Sequence, residues 1–421
     1  MSRILLIAAR NLSRLWRRSL LTGGLVAIGV VAVLLFVAAA GSFRAMMIGQ
    51  ITDTFLGHLQ VHRRGYVAAI ETLPLHLNMT ARQAEAVERA AREVPEITAI
   101  APRVKFSAMF SNFTETTNIR VNGIEPDRES AVAPGLPGRF VAGEPAGLLA
   151  RGEILVPELL ARGLQVGVGD SVVLIATNRD GSVNGRTLRV RGIIAGVTGP
   201  GGRDGYIHIE DARAILRSPE AEVSEFVLRA RDLAAIPRAV AGMQAALAAA
   251  GGGAAAAPGA PPRAPFEVHG WDSLSPFANI ASLIEAMTFA IRVLLVSIVL
   301  VAVMNVMVMA VYERIREIGT IAAMGTPPRR ILALFLTEGV LLGAAGVAAG
   351  LLLSLLAVAA LNRWPITFDF GQQSGLVLQP ALPGREILLV SAIVLAVAVL
   401  ASLQPAWKAA RLDPMAALRH V

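Results

Sequence analysis

The sequence predicts a membrane protein with four transmembrane α-helices, one before and three after a large α/β domain. Four uncharged apolar segments and a mean hydropathy of +0.58 are the main observations behind this fold class. Each segment is long enough to cross ~30 Å of hydrocarbon as a helix, which satisfies its own backbone hydrogen bonds in lipid. A buried helix of a soluble protein would explain one such segment but not four. The segments span residues 19–43, 293–312, 339–362 and 387–407.

The distribution of charge predicts which side of the membrane each loop occupies. An N-terminal arm, a short loop after the second span and the C-terminal tail together carry twelve basic and three acidic residues, whereas the block 44–291 carries 24 basic and 25 acidic residues. Because short cytoplasmic loops are enriched in Lys and Arg, we expect the arm, loop and tail in the cytoplasm and the block outside. The net charge of +8 thus indicates topology, and no nucleic-acid partner is predicted.

These observations divide the chain into segments. The first apolar segment is too long for a signal peptide and lacks a small-residue cleavage site, so we interpret it as a retained anchor. The predicted segments are a cytoplasmic amphipathic arm at 1–18, spans at 19–43, 281–312, 331–362 and 386–407, an exterior domain at 44–280, a cytoplasmic loop at 313–330, an exterior loop at 363–385 and a tail at 408–421.

Several kinds of chemistry receive no support from the sequence. The chain has no cysteine, which removes disulfides and cysteine-ligated metals. It contains no G-x-x-x-x-G-K-[ST] pattern, so we expect no ATP site and no cofactor in this chain. His58 and His62 stand four apart, but in a strand that spacing separates them by ~13 Å, and no third ligand accompanies them. We therefore predict neither a metal site nor a catalytic residue.

Alternating and amphipathic patterns in the exterior block predict a mixed α/β domain. Residues 57–63 form an expected strand, and 80–93 an expected helix in which Thr80 and Gln83 match a capping box. Asp180-Gly181 and Asn184-Gly185 indicate the tip of a hairpin. Further strands are expected at 97–106, 117–123, 154–156, 171–176, 188–195 and 226–230, a change of subdomain at 133–147, a second helix at 236–249 and a low-complexity flexible loop at 248–265.

The third apolar segment contains four regularly spaced glycines and one carboxylate. Gly339, Gly343, Gly346 and Gly350 recur at four, three and four residues, which places them on one helix face and predicts a close helix–helix contact. High glycine content in membrane helices is the simpler explanation. Glu338 precedes them, and an ionisable group there is costly unless it faces protein or headgroups. We expect it at a helix–helix contact, with a proton relay as the alternative.

The cytoplasmic loop ERIREIGTIAAMGTPPRRI predicts a short amphipathic helix. Ile315, Ile318 and Ile321 form an apolar stripe with Ala322, while the charged residues lie off it. Gly325 ends the helix, and the two prolines that follow enforce the stop. The stripe is expected either in the headgroup layer or in a groove of a partner protein.

Taken in order, these segments resemble a known family. The chain resembles the MacB/FtsX/LolC–LolE superfamily of ABC transporter permeases over nearly its whole length, and the order and spacing of the matches are more specific than any single one. The matching segments are NLSRLWRRSLLTGGLVAIGV, GHLQVHRRGY, IRVNGIEP, EILVPELLARGLQVGVGDSVVL, the segment at Trp271, Asn305, ERIREIGTIAAMGTPPRRI, the Glu338 segment with its glycines, and PAWKAARLDPMAALR.

The resemblance implies a particular architecture and set of partners. The exterior domain would combine a ferredoxin-like porter half, at 44–125 and 221–270, with an inserted β-rich half at 126–220. The permease would dimerise with a second copy or a paralogue, and a separate cytoplasmic ATPase would bind ATP and Mg. That ATPase would contact the coupling helix in the 313–330 loop. The residues we assign to the coupling site are Arg314, Arg316, Glu317, Ile318, Gly319, Met324 and Gly325.

The resemblance also implies two alternative functions in a bacterial inner membrane. The first is extraction or export of a lipoprotein or other amphiphile from the outer leaflet or periplasm, driven by the ATPase. The alternative is an FtsX-like mechanotransmission complex that transports nothing and regulates a periplasmic partner such as a cell-wall hydrolase. A periplasmic lipoprotein carrier or adaptor is a further expected partner. However, residues 178–186, where the lipoprotein-release branch carries a longer proline-containing hook, are short and lack proline.

Methionine and phenylalanine side chains cluster near the outer ends of the first two spans. Both adapt in shape and need no polar partner, so they suit acyl chains, and membrane lipid is an expected partner. We predict that they line a cargo cavity in the dimer; ordinary lipid-facing or core positions are the alternative. The residues are Phe36, Phe43, Met46, Met47, Met287 and Phe289.

Overall fold

The structure is a computed structural model that describes residues 6–8, 10, 11, 14, 16–196, 204–218, 221–250, 265–274, 277–364, 366–370 and 373–412. Most of the predicted 248–265 loop, residues 413–421 of the tail and several residues of the arm lie outside this range. The described chain forms two compact units. A membrane unit comprises 1–45, 282–368 and 377–421, and an exterior unit comprises 46–281 and 369–376.

The helices are α1 (Trp16–Ile51), α2 (Ala81–Glu93), α3 (Pro126–Val132), α4 (Glu158–Gly163), α5 (Ile209–Leu216), α6 (Ile236–Ala250), α7 (Trp271–Leu274), α8 (Phe277–Glu313), α9 (Ile315–Ala323), α10 (Pro328–Arg363) and α11 (Gly384–Ala410). The strands are β1 (Leu59–Arg63), β2 (Ile97–Ser111), β3 (Thr116–Ile124), β4 (Phe140–Gly143), β5 (Glu153–Pro157), β6 (Ser171–Thr177), β7 (Val183–Ile194), β8 (Asp204–His208), β9 (Glu225–Ala230), β10 (Phe266–Gly270), β11 (Ile366–Phe370) and β12 (Gln373–Leu378).

Four of the described helices are long and apolar enough to cross a membrane, which confirms the predicted fold class. These segments are Leu20–Leu56, Asn279–Glu313, Pro328–Arg363 and Gly384–Ala410. Within the membrane unit, α1 buries Val26, Val30 and Val33 on one side. Their helical spacing makes a continuous stripe, and α8 buries a similar stripe at four-residue intervals from Val299 to Val311. The core of this unit is thus built mainly from valine side chains that pack tightly between helices.

One part of the exterior unit has the strand order and helix placement of a ferredoxin-like fold. Strands β10, β1, β9 and β2 are neighbours in that order, and every pairing is antiparallel. Helices α2 and α6 supply Val87, Ala90, Met243 and Leu247 to the core against this sheet. Thr80 and Gln83 form the predicted capping box at the start of α2, so that prediction is confirmed.

Strand β2 continues from this region into the β-rich half. Its first part pairs with β9, and from Arg103 onward it pairs with β3. Val104, Phe106 and Ile119 therefore pack in the core of the β-rich half, together with β6, β7, β8 and α5. The expected boundary between the halves at residue 125 falls at the end of β3. However, the core of the β-rich half already includes Val104 and Phe106 of β2.

The structure corrects several local predictions. Residues 178–182 alone connect β6 to β7, whereas Asn184 and Gly185 lie within β7 opposite Ala176 and Ile175. The Asn178 side chain accepts hydrogen bonds from the backbone of Asp180 and Ser182, so the first turn signal suffices. Strand β1 begins at Leu59 rather than at residue 57, because Gly57 has a φ of +67°. Helices α3, α4, α5 and α7, strands β4, β8 and β10, and the β11–β12 hairpin were missed.

Candidate coupling site and membrane packing surfaces

The predicted coupling helix is present as α9, and its two faces differ. Ile318 and Gly319 are buried, and Ile318 packs in the membrane-unit core with Ile331 and Phe335. The apolar stripe is therefore covered at least in part by the chain's own helices, which neither of the two expected environments anticipated. Arg316 and Glu317 point away from this core and are exposed.

The end of α9 is also exposed. Met324 has 72% of its surface accessible. Gly325 has a φ of +85°, a conformation that favours glycine, and it turns the chain before α10 begins at Pro328. Of the seven predicted coupling residues, Ile318 and Gly319 are thus buried in the core of their own chain, and Arg314 is partly buried. The other four are accessible: Arg316, Glu317, Met324 and Gly325.

Glu338 is a buried carboxylate at the centre of this region. It lies in α10, and its side chain is 6% exposed. Arg314 donates from Nη1 to Oε1 and Oε2 of Glu338 at 3.1 and 3.3 Å. Asn11 of the N-terminal arm donates from Nδ2 to Oε1 at 2.8 Å. The carboxylate is therefore paired and hydrogen-bonded, as a buried charge requires.

Arg314 links this carboxylate to α9. Its Nε donates to Oε2 of Glu317 at 2.9 Å, and its guanidinium lies 5.8 Å from the ring centroid of Phe335. The planar guanidinium can bond two carboxylates at once, which a lysine ammonium does less well. The first turn of α9, the cytoplasmic part of α10 and the N-terminal arm are thus connected through one arginine and one glutamate.

The four glycines of α10 lie where two other helices approach. A methyl group placed on Gly339 would overlap the Ser402 side chain, and one on Gly343 would lie 2.7 Å from Ala398 Cβ, both in α11. The missing side chains therefore let α11 lie against this end of α10.

The other two glycines face α1 instead. A methyl group on Gly346 would lie 2.6 Å from Val26 Cβ, and one on Gly350 would lie 2.8 Å from the Ala27 carbonyl oxygen. The face of α10 thus changes partner between Gly343 and Gly346. All four glycines are buried in the contact.

The predicted cargo residues divide between partly buried and exposed positions. Phe36, Phe43, Met46 and Met47 are partly buried, whereas Met287 and Phe289 are 57% and 67% exposed. In the single chain the last two therefore face outward, where lipid or a second copy can reach them. Their role in a cavity stays a prediction.

A buried cluster of charges in the exterior unit was missed by the sequence analysis. Arg103 in β2 donates from Nε to Oε2 of Glu129 at 3.1 Å and from Nη1 to Oε1 of Glu225 at 3.3 Å. Lys105 pairs with Glu225 Oε1 at 3.1 Å, and His62 Nε2 lies 3.3 Å from its Oε2. The positive charges of the two basic side chains thus equal the negative charges of the two carboxylates while His62 is neutral.

Two arginines of the exterior unit also bond the segment between α1 and β1. Arg103 Nη1 donates to the carbonyl oxygen of Phe55 at 2.7 Å, and Arg229 pairs with Asp53 at 2.7 Å. The signal for this cluster is present in the sequence: Arg103 and Lys105 stand two apart in an otherwise apolar strand, which puts both on one face. Their partners, however, lie far along the chain.

The two histidines that the sequence places four residues apart, His58 and His62, can now be compared with a metal site. Among the described residues, no group of three or more His, Asp or Glu side chains is placed to hold a metal ion. His62 instead lies against Tyr66 at a ring-centroid distance of 5.2 Å, and His58 Nδ1 accepts a hydrogen bond from the backbone of Ala230 at 3.1 Å. Both histidines thus serve the packing of β1.

Four helices long enough and apolar enough to cross a membrane, one before and three after an α/β domain in chain order, define a multi-pass membrane protein. Comparison with protein-family models gives two matches: the MacB-like periplasmic core domain at residues 19–246 and the FtsX-like permease C-terminal region at 288–414. The first alone spans more than half of the chain. The chain therefore belongs to the MacB/FtsX family of ABC transporter permeases, as the sequence resemblance predicted.

Individual relatives are similar over shorter segments. The chain is 33% identical over 147 residues to the macrolide export ATP-binding/permease protein MacB of Syntrophobacter fumaroxidans, covering 34% of this chain and 18% of the relative. It is 40% identical over 118 residues to the pyoverdine export ATP-binding/permease protein PvdT of Pseudomonas syringae pv. tomato, covering 28% of this chain and 16% of the relative. The matched segments therefore span less than a fifth of these curated relatives.

Solved structures of exterior regions are also similar, at low scores. The periplasmic region of MacB from Actinobacillus actinomycetemcomitans aligns with a TM-score of 0.36 and 11% identity, covering 55% of this chain and 95% of that one. The extracellular domain of the noncanonic ABC-type transporter YknZ from Gram-positive bacteria aligns with a TM-score of 0.34 and 12% identity, covering 51% and 99%. The family assignment rests on the two family models.

Proposed function

We propose that this chain is the permease subunit of an ABC exporter in a bacterial inner membrane and that a separate cytoplasmic ATPase, which binds ATP and Mg, acts on α9. The observation that carries the proposal is the division of α9 into two faces. Its inner face is seated on the membrane-unit core, and Arg316, Glu317 and Met324 remain accessible on the other side. A force applied to that outer face would reach α10 directly.

The Arg314–Glu338 pair supports a specific route for that force. Glu338 belongs to α10, and Arg314 immediately precedes α9. Because the pair is largely removed from water, it is costly to break and resists separation of the two helices. Movement of α9 towards or away from the membrane would therefore carry α10 with it. Asn11 extends the same connection to the N-terminal arm.

The proposed cargo is a lipoprotein or another amphiphile taken from the outer leaflet or the periplasm. The exposed Met287 and Phe289 near the outer part of α8 support this choice, because flexible apolar side chains suit acyl chains. A dimer with a second copy or a paralogue would enclose these side chains, and a periplasmic carrier or adaptor would accept the cargo.

Coupling of the chain to an ATPase is tested by substitutions in α9 and in the turn that follows it. The tagged chain is purified from its native membrane, and the copurifying ATPase is identified by mass spectrometry. We expect Glu317→Arg and Gly325→Trp to reduce copurification or to uncouple ATP hydrolysis from cargo release, because both alter the accessible surface. Glu115→Arg makes the same charge reversal at an exposed turn of the exterior unit and should leave both unchanged. Sustained ATP hydrolysis by the purified chain alone would refute the proposal.

The cargo is tested by photo-crosslinking in membranes. A crosslinker at Met287 should capture a lipoprotein or amphiphile, and ATP should reduce the yield. Leu388 of α11 is 73% exposed and provides a matched position outside the proposed cavity. Crosslinks to bulk phospholipid only, equal at both positions and unchanged by ATP, would contradict transport and favour the mechanotransmission alternative.

A further inference from the structure

The exterior unit contains a cavity that neither the coupling site nor the predicted cargo residues use. It has a volume of about 570 Å³, within the range of small-molecule pockets. One wall is formed by the chain between β1 and α2, and the opposite wall by the β6–β7 turn and the end of α5. The side chains that matter for its chemistry are Leu75, Arg179, Asp180, Arg213, Arg217 and Glu222.

A second cavity, lined by both polar and apolar side chains, shares Leu75 with the first. Its volume is about 360 Å³, and Leu73, Met109, Ile175 and Val183 contribute to its lining. Met109 and Val183 are 48% and 62% exposed, so apolar surface remains accessible there. The two cavities are therefore neighbours at Leu75; the charged side chains named above line the first, and the second has no charged side chain in its lining.

The arginines of the first cavity are not equally engaged. Arg179 pairs with Glu222 at 3.4 Å, and Arg213 pairs through Nη1 with Glu210 at 2.6 Å. The Nε of Arg213 is buried and has no hydrogen-bond partner among the described residues. A buried donor without an acceptor is costly, and the guanidinium to which it belongs lines the cavity.

Arg217 is the cation at the end of α5 in this cavity. It is exposed and forms no ion pair or side-chain hydrogen bond with another described residue. It caps the C-terminus of α5 with a φ of +48°, which only a few residue types adopt easily. A helix C-terminus carries partial negative charge, so the guanidinium groups rather than the helix must attract an anion here.

We propose that these two cavities form a binding site for an anionic amphiphile, whose phosphate or carboxylate contacts Arg213 and Arg217 and whose alkyl part lies past Leu75 towards Met109 and Val183. Guanidinium groups bond both anions strongly, which fits either headgroup. Asp180 and Glu222 also line the cavity. Glu222 is paired with Arg179, whereas the negative charge of Asp180 opposes such a ligand.

The test uses the full chain in nanodiscs, without ATP or ATPase, titrated calorimetrically with octyl phosphate against empty nanodiscs. We expect Arg217→Asn to weaken binding about tenfold, since a hydrogen bond to a charged group is lost. Asparagine also suits the left-handed conformation at this position, so the fold is preserved. Arg151→Asn makes the same substitution at an exposed turn outside both cavities and should leave binding unchanged.

Two further variants separate binding of the anionic group in the first cavity from binding of the alkyl part in the second. Asp180→Asn should tighten binding of octyl phosphate, because it removes a repulsive charge. Val183→Asp should weaken octyl phosphate but leave binding of inorganic phosphate unchanged. Weaker binding in Asp180→Asn, or equal binding of octyltrimethylammonium, would overturn the proposal. Binding of a glutamate-rich peptide in place of octyl phosphate would also overturn it and would identify an acidic protein partner.

Comparing the affinities of octyl phosphate and octanoate distinguishes the two possible kinds of anionic headgroup. Octyl phosphate represents a phospholipid-like or phosphorylated ligand, and octanoate represents a carboxylate; preference for one names the class. The proposal rests on the proposed function only for the role of the ligand as cargo. Binding can fail while α9 still couples to an ATPase, and coupling can fail while binding persists, so the two outcomes are distinguishable.

Discussion

At the scale of single residues, the exterior unit depends on charges that are almost completely removed from water. Arg103, Glu129 and Glu225 are fully buried, and their mutual ion pairs are what makes this burial tolerable. Burial alone would raise the pKa of the Glu225 carboxyl, but Lys105, His62 and Arg103 hold it well below its usual range. Glu225 is thus a carboxylate at every physiological pH.

Removing the central arginine of this cluster should be severe. We expect Arg103→Met to lower the stability of the exterior unit by about 3–5 kcal/mol, because buried Glu129 would lose its cation and buried Glu225 one of its two. Arg92→Met at an exposed position of α2 is the matched control. Thermal unfolding of the full chain in nanodiscs gives the measurement, and an unchanged melting temperature for Arg103→Met would contradict the role assigned to the cluster.

The stability of the exterior unit should fall as the pH is lowered. Burial lowers the pKa of His62 from its ordinary value of 6.5, against the opposing effect of Glu225. Below pH 6.5 the unfolded chain therefore binds a proton that the folded chain does not, so stability decreases with falling pH. The depressed pKa of Glu225 acts in the same direction at lower pH.

This dependence can be measured by thermal unfolding between pH 7.5 and 5. We expect His62→Asn to flatten the curve in this range, while His76→Asn, at an exposed position, leaves it as in the unmodified chain. The slope attributable to one such group is at most about 1.4 kcal/mol per pH unit. A chain that is equally stable at both ends of the range would disprove the assignment.

Sequence patterns identified some of these residues but not their partners. The alternating pattern of residues 57–63 predicted a strand, and β1 lies within that range, because strand geometry is local. The pairing of Arg103 with Glu129 and Glu225 depends on the sheet bringing β2, α3 and β9 together. No local pattern records which of many carboxylates a buried arginine will meet.

At the scale of elements, α10 shows how much can be inferred from spacing. The positions of Gly339, Gly343, Gly346 and Gly350 predicted one helix face in close contact, and the structure places that face against α11 and then α1. Spacing alone could not give the identity of the partners, nor the change of partner along the helix, because several apolar helices were equally plausible neighbours.

Enlarging one of these glycines should disturb the membrane unit. Gly350→Ala places a methyl group against Val30 and the Ala27 carbonyl, and we expect it to cost about 1–3 kcal/mol through overpacking. Gly24→Ala in α1 adds the same methyl group where nothing lies within 4 Å. Thermal unfolding and the yield of folded protein in detergent compare the two variants. Equal behaviour of both would show that α10 and α1 do not pack closely here.

At the scale of the whole molecule, hydropathy and charge were the most informative signals. Four apolar segments and the excess of arginine in three short segments predicted the arrangement of one helix, one domain and three helices before any detail was known. The lipid environment imposes strict rules on length and charge, so such patterns are readable. The exterior domain follows weaker rules, and the α3, α4 and α5 helices were missed because each is short.

The predicted topology can be tested with fused reporters. A reporter near Gly181 should be active only in the periplasm, whereas reporters near Pro327 and after Arg419 should be active only in the cytoplasm. The physical reason is the concentration of basic residues in the arm, the loop and the tail. Cytoplasmic activity of the reporter near Gly181 would show that the predicted orientation is wrong. If the reporters near Pro327 and after Arg419 lie on opposite sides of the membrane, the predicted number of spans is wrong.

Strand β1 has a consequence for the biosynthesis of the chain. Leu59 pairs with Leu228 and with Gly270, so the first strand after the first membrane helix waits for partners from the far end of the block. While the ribosome is still synthesising the intervening residues, β1 presents an unpaired edge outside the membrane. Strands β2 to β8 all leave the ribosome before β9 and β10, so they can pair with one another before β1 can pair. A pause in translocation before β10 emerges would expose that edge longest, and such nascent chains would depend on chaperones at the membrane surface.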